Sequence, residues 1–125
     1  MEYRLTIKGR LPGLNEYTAS CRRNAYAGAK MKKDAQKVVL LEALKQLKGV
    51  RITKPVELAY TWHELNRRRD HDNVSGFGHK VIQDALVEAK VLKDDGWNEI
   101  IGYSDSFKID PKNPRIEVEI REVET

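Results

Sequence analysis

The chain has 125 residues, 34% charged and 40% hydrophobic, a composition that fits one globular domain (residues 1–125) and excludes a disordered polymer. No apolar run is long enough to span a membrane, and MEYRLTIKGR at the start has no apolar signal core. Cys21 is the only cysteine, which excludes a disulfide framework and a cysteine zinc cluster and suits a reducing, cytoplasmic setting.

The net charge of +4 hides an asymmetry. Residues 1–54 hold 13 Lys/Arg against 4 Asp/Glu, a balance of +9, whereas residues 55–125 hold 10 against 15, a balance of −5. A basic first half suits a polyanion partner. The carboxylates of the second half then need a reason, and metal binding is one.

Residues 2–9 alternate, with Tyr3, Leu5 and Ile7 on one face, which predicts a strand. Residues 10–23, with Pro12, Gly13, Asn15 and Ser20 among arginines, read as an irregular basic loop. From about Asn24 to Lys48 the Ala/Lys/Leu-rich composition predicts a helix that stops at Lys48-Gly49. Lys30, Lys32, Lys33 and Lys37 gather in its first half, where cations oppose the helix dipole. Residues 54–64 alternate again, placing Val56, Leu58, Tyr60 and Trp62 on one face of a strand.

That strand leads into RRRDHDN at 67–73. If the segment is extended, Asp70 and Asp72 share one face. Paired carboxylates suit a hard divalent cation such as Mg²⁺, and the arginines beside them suit a phosphate. Metal plus phosphate points to phosphodiester chemistry. The bland alternative is a solvated turn with screened ion pairs.

A second helix is predicted from about Gly76 to Lys90. Its core face holds Val74, Phe77, Val81, Ile82, Ala85, Leu86 and Ala89. Asn73, Lys80 and Asp84 fall together at the edge of that face. Lys80 can serve a phosphate there, or simply pair with Asp84. Gly76 and Gly78 either delay the start of the helix to near His79 or permit a close approach. His71 and His79 are marginal metal ligands beside carboxylates. Asp94-Asp95-Gly96 reads as a turn, or as a third carboxylate returned to the first two. Residues 99–109 and 114–121 predict two further strands joined through Asp110-Pro111-Lys112-Asn113. The expected fold is a mixed α/β layer, a small mixed sheet with two main helices, in the order β-α-β-α-β-β.

RRRDHDN at 67–73, KVIQDAL at 80–86 and the Asp94-Asp95 pair, with LPGLNEY at 11–17 as a weaker match, resemble the RusA family of Holliday-junction resolvases of bacteria and prophages. The resemblance covers most of the chain. It implies a Mg²⁺-dependent endodeoxyribonuclease, with Mn²⁺ as an alternative ion, that makes paired symmetric nicks in four-way DNA junctions as a homodimer. Carried over, the catalytic residues are Asp70, Asp72, Asp95 and Lys80, and the three aspartates are the metal ligands. Asp94, Asp84 and Asn73 stand second. Arg67, Arg68, Arg69, Arg22, Arg23, Lys30, Lys32, Lys33 and Lys37 are the expected phosphate contacts, which position DNA without reading its sequence. The gap from Asp72 to Lys80 looks about four residues longer than in the best-known members, roughly one helical turn. Two other readings are a branched-DNA-binding protein without catalysis and a metal-dependent nuclease for other branched or flapped DNA.

Overall fold

A computed structural model describes residues 1–124. The elements run β1 (Glu2–Lys8), α1 (Leu14–Arg23), α2 (Ala25–Gln46), β2 (Val56–Glu64), α3 (His71–Glu88), β3 (Ile100–Ile109) and β4 (Arg115–Glu122). The mixed α/β layer is as expected, with one helix more than the sequence suggested. The four strands form one sheet in the order β1-β4-β2-β3. β4 pairs antiparallel with both β1 and β2, and β2 pairs parallel with β3. A parallel neighbour requires a crossover, and α3 supplies it.

The strand alternation sorts the two faces of the sheet. Leu5, Ile7, Leu58, Tyr60, Trp62, Ile116, Val118 and Ile120 point to one side and are buried. Val39, Ala43, Val81, Ile82, Ala85 and Leu86 of α2 and α3 complete that core. The other side carries Arg4, which pairs with Glu119 across β1 and β4, and Arg121, which pairs with Glu119 along β4, in the open. Helices thus cover one face only.

The segment read as a basic loop contains α1. Gly13 caps this helix without a side chain, so the usual N-cap signal is missing and Glu16 in the first turn is the one local cue. The missing acceptor comes from Asn73, whose Oδ1 accepts from Asn15 N–H at 2.8 Å, while Glu16 accepts from Gly13 N–H at 3.1 Å. Gly13 is needed at this junction. A Cβ there would stand 2.6 Å from Asn73 Oδ1 and 2.9 Å from Arg69 Nη1.

α3 also departs from the sequence expectation. It begins at His71, not near Gly76, and the two glycines lie inside it. They serve close approach. Gly78 lies under the Trp62 ring and Gly76 under Leu14.

The sheet edges differ. On β1, Gln46 of α2 donates to Thr6 C=O and accepts from Thr6 N–H, occupying the middle of that edge. β3 has no such cover among the described residues, and Ile101, Tyr103 and Ile109 on it are exposed.

Candidate active site

Asp70 and Asp72 line one cleft at the N-terminus of α3, with Glu64, Arg67, Arg69 and the end of β3 as its other walls. The segment is not extended throughout. Asp70 is the N-cap and Asp72 lies in the first turn. Both carboxylates therefore meet the positive end of the helix dipole. An N-cap aspartate ordinarily spends its carboxylate on the first free N–H groups. Asp70 makes no such bond, so its oxygens face the cleft uncommitted. His71 does not turn to them. Its ring stacks flat on Phe107, with centroids 3.9 Å apart, and ties the start of α3 to the end of β3.

Lys80 and Asp95 form a second group further along α3. Lys80 lies eight positions beyond Asp72 on the helix, a rise of about 12 Å and a turn of about 80° beyond two full rotations. Every residue between them is helical, so the helix itself carries Lys80 away from Asp72. Here charges alternate in a chain. Lys32 of α2 meets Asp84 at 2.7 Å, Asp84 meets Lys80 at 3.0 Å, and Lys80 reaches Asp95 at 3.4 Å. Burial pushes the Asp84 carboxyl up, but the hydrogen bonds from Lys32 and Lys80 outweigh it and the net direction is down. The Asp84 hydrogen bond holds the Lys80 ammonium above its usual range. Asp94 stays exposed and accepts from the Asp95 N–H.

Among the described residues, no three His, Cys, Asp or Glu side chains stand close enough to hold one ion. One chain thus brings Asp70 to Asp72, and Asp95 to Lys80, but leaves the two groups apart.

The expected phosphate contacts divide in the same way. Arg67 lines the cleft, and both Arg67 and Arg68 are exposed on the link between β2 and α3. Arg22, Arg23, Lys33 and Lys37 are exposed on α1 and α2. Lys30 pairs with Asp34, and Lys32 holds Asp84. Arg69 is turned inward. Its guanidinium grips both oxygens of Glu64, at 2.9 and 3.0 Å, and donates to Leu11 C=O. The two side chains are only 14% and 8% exposed, which makes Arg69 a structural clamp that fixes the cleft wall.

Two features were missed in the sequence. Glu64 continues the buried alternation of β2, and a charge in a core register was its signal. Asp105 occupies the register opposite Tyr60. It accepts from Trp62 Nε1 at 2.8 Å and meets His79 Nε2 at 2.7 Å, joining β2, α3 and β3. His79 is thereby enclosed by Tyr60, Trp62 and Tyr103.

A carboxylate pair at a helix N-terminus with arginine beside it is suited to phosphate chemistry when a divalent cation is bound. The sequence model of the family described as Endodeoxyribonuclease RusA matches residues 12–121, and the chain belongs to that endodeoxyribonuclease family. No curated protein matches the chain. No helix is long and apolar enough to cross a membrane.

Proposed function

We propose that this protein is a divalent-metal-dependent endonuclease that resolves four-way DNA junctions by paired symmetric nicks, leaving 5′-phosphate and 3′-hydroxyl ends. The observation that carries the reading, beside family membership, is the uncommitted Asp70 carboxylate next to Asp72 in an arginine-walled cleft. Oxygen donors of this kind fit Mg²⁺ or Mn²⁺. Asp70, Asp72 and Asp95 would hold the ion, which supplies Lewis-acid stabilisation of the attacking and leaving oxygens. Arg67 and Arg68 hold the strand by its phosphates, and Lys80 keeps a positive charge beside Asp95 to meet the scissile phosphate. Arg69 and Glu64 keep the wall of the cleft rigid.

The distance between the two acidic groups favours a homodimer. The β3 edge is open and carries exposed Ile101 and Tyr103. A two-fold axis at that edge pairs two β3 strands antiparallel, so the start of one lies beside the end of the other. Asp95 precedes the start of β3, and the Asp70/Asp72 cleft adjoins its end. Each site would then combine Asp70 and Asp72 of one copy with Asp95 of the other. Two such sites match the symmetry of a four-way junction.

The test is cleavage of a labelled four-way junction with and without Mg²⁺, beside a linear duplex and a flap. Asp72→Asn is expected to bind the junction and leave it uncut. Binding without any nick by the unmodified protein would leave a DNA-binding protein, and equal cutting of the flap would leave a nuclease of broader substrate. The shared site has its own test. Asp72→Asn and Asp95→Asn are each expected to be inactive, but their mixed dimer regains one intact site and nicks one strand. A mixture as inactive as its parents would place all three aspartates within one subunit.

A further inference from the structure

We propose that the groove between the β1–α1 connection and α2 receives an unstacked nucleotide of the DNA strand leaving the active-site cleft, its base lying on Tyr26. This rests on the reading of branched DNA as the substrate. The groove has a volume of about 640 Å³. Its floor is apolar, built from Ile7, Leu11, Met31 and Val38, and its rim is cationic, with Lys8, Arg10, Arg23 and Lys30. Asp34 is the single carboxylate on its wall among the described residues, and Lys30 covers it at 2.7 Å.

Tyr26 sits in the first turn of α2 and is 74% exposed. An aromatic ring left in water contributes little to folding, and its face is free to stack. No acidic residue occupies that first turn, so the positive end of the α2 dipole also opens here. A stacking ring, an apolar floor and a cationic rim are the combination that holds single-stranded nucleic acid. Lys30 and Arg10 already meet Asp34 and Glu64, but Lys8 and Arg23 on the rim pair with no carboxylate among the described residues, and an apolar peptide would leave both unanswered.

The groove also adjoins the cleft. Arg10 lines the groove and donates to Glu64 at 3.4 Å, and Glu64, gripped by Arg69, lines the cleft with Asp70 and Asp72. The two cavities share a wall one ion pair thick. At the centre of a four-way junction the strands part from their stacks, and a base freed there is the one within reach.

The experiment is fluorescence anisotropy with a short labelled oligothymidylate and with a blunt duplex of the same length, using the full chain in EDTA. Tyr26→Ala is expected to weaken oligothymidylate binding about tenfold, the scale of one lost stacked base, with Tyr26→Phe close to the unmodified protein and duplex affinity unchanged. Alanine suits a helix, so circular dichroism should match across the three proteins. Unaltered oligothymidylate binding by Tyr26→Ala overturns the proposal, as does an equal loss on the duplex or no oligothymidylate binding by the unmodified protein. The assay reads binding alone. A chain that never cuts a junction can still pass it, and a working resolvase can fail it.

Discussion

Gly76 and Gly78 lie two residues apart in one helix, and alanine should have opposite effects at them. A Cβ on Gly78 would stand 2.7 Å from Trp62 Cη2 and 2.8 Å from Cζ3. Ordinary contact begins at 3.4 Å, so the ring must retreat by about 0.7 Å. Trp62 is 1% exposed, and its Nε1 is held by Asp105 at 2.8 Å, so it has nowhere to go. Overpacking of this kind costs about 1–3 kcal/mol, and the better helix propensity of alanine returns about 1 kcal/mol. Gly78→Ala should therefore lose up to about 2 kcal/mol. At Gly76 the added carbon meets the tip of Leu14 at 3.1 Å, a half-exposed side chain that can rotate away. Propensity wins there, and Gly76→Ala should gain about 0.5–1 kcal/mol. Urea unfolding at matched protein concentration measures both, with tryptophan fluorescence as the probe, its change coming from buried Trp62 because Trp97 is already exposed. Midpoints that shift in the same direction for the two variants would refute the argument that Trp62 fixes Gly78.

Arg69→Ala should act on the fold, because it strands the Glu64 carboxylate with only the 3.4 Å contact from Arg10; the expected loss is about 3–5 kcal/mol, read as a lowered Tm. Arg67→Ala and Arg68→Ala should leave Tm in place and each reduce the slope of log affinity against log salt by about 1, and a Tm drop at either would remove the distinction. The Lys80 ammonium is held above its usual range, so its contribution to stability is full below its ordinary 10.5 and fades only as pH rises through the higher folded value. The lowered Asp84 carboxyl contributes above its ordinary 3.8 and fades as pH falls through the lower folded value. Between about pH 5 and 10 the charges on Lys80 and Asp84 are then constant, and junction cleavage should show no limb from either. A limb in that window that vanishes in Lys80→Arg would mean that Lys80 releases its proton in turnover.

The strands and α2 were legible because each carries its own periodicity and stops. α1 was not, because its capping acceptor belongs to Asn73, 58 residues away. The start of α3 was misread for a related reason. Glycine is ordinarily a helix breaker, and only the Trp62 ring above Gly78 reveals why one is kept. In the site, the pairing of Asp70 with Asp72 follows from adjacency, and Lys80–Asp84 from helical spacing. The meeting of Lys80 with Asp95, and the separation of both from Asp72, depend on how the chain returns from α3 to β3, which no local pattern encodes. Arg69 looked like its two neighbours in sequence, yet its partner Glu64 turns it away from solvent.

The Gln46 clasp on β1 bears on stoichiometry. A sheet with two bare edges offers a template at each end and can add copies without limit. Here one edge is already answered by a side chain from the same molecule. Growth through β3 would consume the bare edge of each copy, and the clasp at Thr6 would then work against a further strand adding at β1. Gln46→Ala should reopen β1, and light scattering would reveal it as species heavier than a dimer.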